Sequence, residues 1–148
     1  MVPLERKDCL RLLAGVPLGR VVFTKDALPA IRPVNHVVAD GAIIIRTHEG
    51  AALTSVADVP GAPGPVVAYE ADAIDLDTHL GWSVVATGYA ELVSDPAEVR
   101  RYEELATPWV DAAMHHVVRI RPELVTGFLL AAGPEAGGAT RQRPGRPT

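Results

Sequence analysis

The residues best placed for chemistry lie in one segment, from Leu28 to Leu53. An extended stretch ends in a Pro-Val-Asn-His sequence, and an Asp-Gly pair, the strongest hairpin signal in the chain, leads back to Arg46 and Thr47. A short polar turn with Gly50 then opens a predicted helix. Free N–H groups at a helix start, beside a guanidinium and a hydroxyl, form a site for an anion such as phosphate. The alternative interpretation is a hairpin whose polar end is only solvated.

Other motifs for nucleotides, nucleophiles or metals are absent or weak. No GxGxxG follows a strand, and neither a Walker A sequence nor a GxSxG motif occurs, which argues against Rossmann, P-loop and serine-hydrolase sites of those types. The single Cys9 rules out a zinc site built from thiolates and is expected to be a small buried residue. His115 and His116 would point to opposite faces of a strand, and the acidic run from Asp72 to Asp77 lacks the spacing of a calcium loop. We therefore predict no metal site.

The charge distribution limits the partners of this protein. It has 18 acidic and 14 basic residues, a formal net charge of −4, which argues against a protein whose whole surface binds nucleic acid. Three of the arginines lie after residue 130. Between Arg32 and Arg100, the only Lys or Arg is Arg46. A phosphate bound by this part of the chain would therefore depend on Arg46.

The length of 148 residues indicates one domain, expected over residues 1–130, with a disordered Gly/Pro/Arg-rich tail over residues 131–148. One cysteine cannot form an internal disulfide, which indicates a reducing compartment. The first residues are charged rather than an apolar signal, and no apolar run reaches the roughly 20 residues of a membrane span. We therefore expect a cytoplasmic protein that does not contact membranes.

Periodicity and turn signals predict mostly strands. Helices are expected over residues 4–14, 49–58 and 95–106, and strands over 19–24, 28–39, 42–47, 66–71, 82–93, 116–121 and 124–130. Pro3 suits the first turn of the first helix, and Pro122 should separate the last two strands. Pro29 and Pro33 should prevent full pairing of the 28–39 strand. Gly88 should introduce a bend or a β-bulge in the 82–93 strand. Strands that do not alternate with long helices favour an antiparallel barrel.

Several segments, taken in order and spacing, indicate a family. They are Gly19-Arg20-Val21, Pro29-x-Ile31-x-Pro33-Val34-Asn35, Ile44-x-Arg46-Thr47, Val67-Ala68-Tyr69-Glu70-Ala71-Asp72, Gly81-Trp82-Ser83-Val84-Val85-Ala86-Thr87-Gly88-Tyr89-Ala90, Pro108-Trp109 and Ile120-x-Pro122-x-x-Val125-Thr126-Gly127. With these segments, about three quarters of the chain resembles the flavin-binding split-barrel family that includes pyridoxamine 5′-phosphate oxidase, and in particular its short actinobacterial members.

The resemblance implies a mainly β fold, a six-stranded antiparallel split barrel with short flanking helices, that forms a homodimer and holds FMN in a groove between the subunits. It also assigns residues to each part of the cofactor: Pro33, Val34 and Asn35 along the isoalloxazine ring, Arg46 and Thr47 at the ribityl phosphate, Gly50, Ala51 and Leu53 in the turn over the phosphate, and Trp82 and Ser83 at the flavin edge. The implied function is that of a flavin-dependent oxidoreductase with a small-molecule substrate or electron donor. No side chain stands out as a catalytic acid or base.

Two departures from the family weaken the expected phosphate site. Family members commonly follow the Gly with Ser or Thr and then Lys, where this chain has Gly50-Ala51-Ala52-Leu53, and Thr126-Gly127-Phe128 replaces a Thr-Gly-Arg sequence. Losing an ammonium and a hydroxyl would weaken phosphate binding by on the order of 2–4 kcal/mol. Arg46 would then supply the positive charge for the phosphate alone, unless Arg32, His36 or His48 also contacts it.

Two alternatives remain at this point. One is a related split barrel that binds deazaflavin or haem, with an axial ligand from among the histidines His36, His48, His79, His115 and His116. The other is a dimeric barrel that has lost its cofactor and serves as a non-enzymatic binding partner.

Overall fold

The architecture is a closed antiparallel β-barrel with short helices packed on it. The structure, a computed structural model, describes residues 1–48, 50–54, 64–105 and 116–131. Its elements are β1 (Val2–Pro3), α1 (Arg6–Ala14), β2 (Leu18–Lys25), β3 (Leu28–Ala39), β4 (Ala42–Thr47), α2 (Gly50–Thr54), β5 (Val66–Ile74), β6 (Gly81–Leu92), α3 (Pro96–Leu105) and β7 (His116–Leu130). The strands follow the order β1-β7-β4-β3-β2-β5-β6, and β6 also pairs with β7, which closes the barrel. The predicted six-stranded antiparallel split barrel is confirmed.

Two tight turns fix the register of β2, β3 and β4. Asp26 and Ala27 have φ values of 52° and 62°, and Asp40 and Gly41 have values of 52° and 76°. Positive φ at both central positions is the type I′ geometry, whose twist matches that of the flanking strands. The predicted Asp-Gly hairpin is therefore confirmed.

Strand β3 changes partner halfway along its length. Residues 28–35 pair with β2, and residues 36–39 pair with β4. Pro29 and Pro33 both lie in the first half, where β3 has a strand on one side and so needs fewer backbone donors. The expectation that the prolines prevent full pairing is confirmed.

The prediction of two separate strands on either side of Pro122 was wrong. β7 runs continuously from His116 to Leu130 and pairs with β6 along its length. The register shifts at Gly88, which pairs with Pro122, while Thr87 pairs with Leu124. A Cβ on Gly88 would overlap the Arg121 carbonyl oxygen, so the bulge depends on this glycine. The bulge places the proline where the ladder is interrupted, so the strand need not end.

The N-terminal prediction also needs correction. Pro3 belongs to β1, where it pairs with Phe128, and α1 begins only at Arg6. The Leu4 amide donates to the Gly127 carbonyl oxygen at 2.8 Å. These contacts draw the first residues onto β7, and sequence periodicity alone does not reveal such a long-range pairing.

Two apolar layers hold the fold together. The barrel interior contains Ile43 and Ile45 of β4, with Tyr69 of β5 among the residues around them. A second layer lies outside the barrel, where Ile44 packs with Tyr102 of α3. Strand β4 is therefore apolar on both faces, which explains its run of three isoleucines.

Helix α3 begins as predicted at the Asp95-Pro96 sequence. The Asp95 carboxylate accepts a hydrogen bond from the Ala97 amide at 3.3 Å, which is an N-cap. Two arginines hold the helix against the barrel: Arg101 contacts Asp40 at 2.7 Å, and Arg119 contacts Glu98 at 3.2 Å. The helix thus covers the outer face of β4.

Some predictions concern residues outside the described part of the chain. These are the ends of the 49–58 and 95–106 helices, the Pro-rich loop at residues 60–63, His115, Pro108-Trp109, and the tail beyond residue 131. Among the described residues, no helix combines the length and the apolar character needed to cross a membrane.

Candidate functional site

The structure divides the predicted cofactor residues into two groups. Residues 33–35 of β3 and 46–47 of β4 lie where these strands part, and α2 follows after His48 and Glu49. Trp82 and Ser83 lie near the start of β6. In one copy of the chain, β2 and β5 stand between the β3 residues and β6, and β7 stands between the β4 residues and β6.

Side chains alternate between the barrel interior and its outer surface. Val34 and Trp82 pack against the barrel core, and Leu53 is part of it. Thr47 continues the inward series of Ile43 and Ile45 and is 7% exposed. These inward residues form the wall beneath the site.

Pro33, Asn35, Arg46 and Ser83 occupy the outward positions. Pro33 and Asn35 are exposed, and Ser83 is half-buried. The ladder between β3 and β4 extends to His36 and Ile45, so Asn35 and Arg46 are the next residues on each strand. An amide and a guanidinium at this point offer hydrogen-bond donors to a ligand that carries carbonyl or phosphate oxygens.

The Arg46 side chain lies under α3 and is 12% exposed. Its Nη2 atom is 3.8 Å from Oε1 of Glu103. Val99, Tyr102 and Glu103 share one face of α3, because residues three and four apart lie together on a helix. The guanidinium is therefore held beside a carboxylate.

Helix α2 covers the described part of the predicted 49–58 helix, and residues 55–58 lie outside the described part of the chain. It has five residues, Gly50–Thr54, and includes Ala51. A Cβ on Gly50 would overlap the His116 side chain, so glycine is needed for the close approach of α2 to β7.

A polar cluster that sequence reasoning did not assign to the site lies between the two groups. Arg20 of β2 contacts Glu70 at 3.0 Å and Asp72 at 3.8 Å, both on β5. Arg20 also lies opposite Pro33, and Asp72 lies opposite Ser83. All three residues belong to the matching segments of the sequence, but their proximity depends on the β2–β5 register, which the sequence does not show.

The cluster places two carboxylates against one guanidinium. Partial burial raises the pKa of the Glu70 carboxyl, and its hydrogen bond with Asp72 acts in the same direction, while Arg20 opposes the shift. With both carboxyls ionised, the cluster carries one net negative charge. It therefore does not replace the basic residues missing from the expected phosphate site.

A buried His–Tyr pair lies beneath the β3 part of the site. His36 Nε2 is 2.8 Å from the Leu13 carbonyl oxygen and donates to it, which leaves Nδ1 to accept from the Tyr69 hydroxyl at 2.5 Å. Burial lowers the pKa of His36 and raises that of Tyr69. A Cβ on Gly19 would come within 2.5 Å of the Tyr69 ring, so this glycine makes room for the pair.

The geometry bears on the suggested roles of the histidines. His36 faces the interior with both ring nitrogens engaged, so it neither adds charge to the outer surface nor offers a nitrogen to haem iron. His48 and His79 are exposed, and His116 packs on Gly50. Among the described residues, no group of three or more side chains could hold a metal ion.

Comparison with known proteins gives consistent matches. The family model of pyridoxamine 5′-phosphate oxidase matches residues 5–128. Protein Rv0080 of Mycobacterium tuberculosis is 53% identical over 132 residues, which cover 89% of this chain and 87% of that protein.

Two solved structures are also similar. One, from Corynebacterium glutamicum, is named as a candidate pyridoxamine 5′-phosphate oxidase; it is 35% identical, has a TM-score of 0.68, and the match covers 86% of this chain and 98% of that one. The FAD binding protein of Mycobacterium smegmatis is 34% identical, has a TM-score of 0.65, and the match covers 88% of this chain and 100% of that one. The barrel, its strand order and the family match over residues 5–128 together show that this chain belongs to the pyridoxamine 5′-phosphate oxidase family.

Proposed function

We propose that this protein binds a flavin, FMN in the first place, and serves as a flavin-dependent oxidoreductase. The observation that carries the proposal is the proximity of Asn35 and Arg46 on the outer surface where β3 and β4 part, with Thr47 in the wall beneath them. An amide and a guanidinium together suit the carbonyl-rich ring and the phosphate of such a ligand. The similarity to a solved protein named for FAD binding supports a flavin rather than another cofactor.

In this proposal, Pro33 and Asn35 line the ring with Val34 in the wall beneath them, and Arg46 meets the phosphate end with Thr47 beneath it. The α2 residues Gly50, Ala51 and Leu53 close the turn beside the phosphate. When bound, the flavin would supply the hydride or electron transfer, and the protein would supply binding, orientation and the local field. The residues present fit the ring well but give the phosphate few donors, which predicts modest affinity.

We further propose that a second copy of the chain completes the site. Trp82 and Ser83 are separated from the β3 group by β2 and β5 within one copy, so the ring edge would be met by the partner. The sheet face between them carries a cross-strand row of mostly apolar residues: Ile31, Val22, Ala68, Thr87 and Leu124. Ile31 and Leu124 are 57% and 62% exposed, and exposed apolar rows of this kind mark protein interfaces.

A shallow groove of about 250 Å³ lies on the same face, between Val22 and Thr87, and Pro29 also lines it. This groove is on the proposed interface. A homodimer that buries this face would therefore cover the groove.

The deciding experiment is a titration of the purified protein with riboflavin, FMN and FAD, followed by flavin fluorescence. We expect saturable binding of FMN at one flavin per chain and a flavin absorbance spectrum for the complex. A protein that shows no flavin binding would overturn the proposal. A haem absorbance band on addition of haem, without flavin binding, would favour the haem-binding alternative instead.

The dimer is tested separately by sedimentation. We expect a species of twice the 15.7 kDa chain mass. A 15.7 kDa monomer at all concentrations would contradict the shared site.

A further inference from the structure

Arg46 has a neighbour that its role in phosphate binding does not require. Glu103 of α3 lies 3.8 Å from the Arg46 guanidinium, and both groups face the gap between α3 and β4. Arg46 is the only Lys or Arg between Arg32 and Arg100. The carboxylate therefore sits beside the base on which the proposed phosphate site depends.

Helix α3 is anchored independently of this contact. Tyr102 is buried in the outer apolar layer, Arg101 contacts Asp40 at 2.7 Å, and the Arg119 guanidinium bonds both Glu98 and the Tyr102 hydroxyl. Glu103 is thus held near Arg46 by the rest of the helix, whether or not the two side chains attract each other. A phosphate arriving at Arg46 meets this fixed negative charge.

From this geometry we infer that Glu103 is a specificity residue: it competes with the flavin phosphate for Arg46 and reduces the preference of the protein for phosphorylated flavins over riboflavin. The inference rests on the proposed flavin site. A carboxylate beside the guanidinium lowers its attraction for a phosphate dianion but leaves the uncharged ring and ribityl chain unaffected. A phosphate that binds Arg46 must either displace the Glu103 carboxylate or share the guanidinium with it.

The test compares riboflavin with FMN, which differ only in the phosphate. Glu103→Gln removes the charge and keeps the shape, and the neighbouring Glu104→Gln is the matched control with the same change in net charge. We expect Glu103→Gln to tighten FMN binding by about fivefold, as for a unit charge near a phosphate dianion in a water-like medium, and to leave riboflavin affinity within about twofold. Glu104→Gln should leave the FMN to riboflavin ratio unchanged.

Two further measurements separate electrostatics from a structural effect. In the Arg46→Gln background, the competition for the guanidinium is absent and only the direct repulsion between the Glu103 carboxylate and the phosphate remains, so the gain in FMN affinity from Glu103→Gln should be smaller than in wild type. At about 1 M salt, charges more than roughly 3 Å apart are largely screened from each other. The FMN affinities of wild type and Glu103→Gln should therefore converge at this salt concentration. Thermal unfolding of each variant shows whether the fold is intact.

The outcomes distinguish this inference from the function on which it rests. If neither riboflavin nor FMN binds wild type or any variant, the proposed function is wrong and the inference falls with it. If flavins bind but Glu103→Gln changes both affinities equally, or neither, the inference alone is wrong. A selective gain for FMN that Glu104→Gln does not reproduce supports it.

Discussion

Two outer faces of the same barrel differ in whether another element of the chain covers them. The outer face of β4 is covered by α3, which buries Ile44 and Tyr102. The outer face that crosses β3, β2, β5, β6 and β7 leaves Ile31 and Leu124 exposed. The outer face of β4, the covered flank, is buried by a helix of the same chain. The face that carries Ile31 and Leu124, the open face, has the apolar character of a surface that another molecule covers. The predicted site residues border both faces.

Removing the side chain at the centre of the covered flank should have the largest effect. Tyr102→Ala should reduce the free energy of unfolding by about 3–5 kcal/mol, because it leaves a cavity under α3 and removes a hydrogen bond to Arg119. Leu124→Ala on the open face is the contrast and should cost less than about 1 kcal/mol in the monomer. Urea unfolding followed by circular dichroism measures both. Equal losses would remove the distinction between the two faces.

The charged contacts of the covered flank should make the second-largest contribution to the free energy of unfolding. Arg119 is 14% exposed and bonds Glu91, Glu98 and the Tyr102 hydroxyl, whereas Arg121 is 60% exposed and bonds Glu91. Arg119→Gln should therefore destabilise the protein by about 2 kcal/mol, and Arg121→Gln by less than about 1 kcal/mol. Chemical denaturation of the pair at one pH and salt concentration gives the comparison. A larger loss for Arg121→Gln would mean that the network does not hold α3.

On the open face, a charge should affect assembly rather than folding. Leu124→Asp should weaken self-association by about tenfold or more, equivalent to about 1.4 kcal/mol, because it buries a carboxylate in the proposed interface. Leu76→Asp is a suitable control, since Leu76 is 87% exposed in the turn between β5 and β6. Sedimentation velocity over a concentration series measures the dissociation constant. Unchanged association of the Leu124 variant would show that this face is not the interface.

The smallest expected effect is the pH dependence of stability that comes from His36, which lies in the interior beneath both faces. Burial lowers the pKa of His36 in the folded state, so the unfolded chain binds a proton more readily. Stability from the neutral His36 is therefore present above about pH 6.5 and is lost as the pH falls toward the lower folded value, by at most about 1.4 kcal/mol per pH unit. The groups that face this ring are the Tyr69 hydroxyl and the Leu13 carbonyl.

The check is a pair of stability profiles. The difference in unfolding free energy between wild type and His36→Gln should shrink from pH 7.5 to pH 5.5, because the variant lacks the titrating group. Carboxylates elsewhere titrate alike in both proteins and cancel in the difference. A constant difference over this range would show that His36 does not titrate differently on folding.

The local signals of the fold, like the barrel architecture itself, could be predicted from the sequence. The Asp40-Gly41 turn and the Asp95-Pro96 helix start depend on a few adjacent residues, and both are where the sequence indicates. Pro122 misled the prediction because its effect depends on Gly88, far away in sequence, which accommodates a bulge. A proline therefore does not end a strand when a bulge at the paired position of the partner strand accommodates it.

The candidate site shows the same limit. Asn35 and Arg46 meet because one tight hairpin joins their strands, so their proximity follows from the sequence. The separation of Ser83 from Asn35 by β2 and β5 depends on the sheet order, and the Arg20–Glu70 contact depends on the strand register. Glu103 comes near Arg46 only because α3 docks on β4. None of these long-range arrangements leaves a pattern in neighbouring residues.

The pairing of β7 has a consequence for synthesis of the protein on the ribosome. This strand is the last of the barrel in chain order, yet it pairs with β1, β4 and β6. Until Leu130 has been made, β4 and β6 each keep an open edge and the barrel cannot close. The nascent chain must hold a partly formed sheet with exposed backbone donors and acceptors, the form most prone to pairing with another chain. Closure then comes from contacts that are distant in sequence, which form slowly.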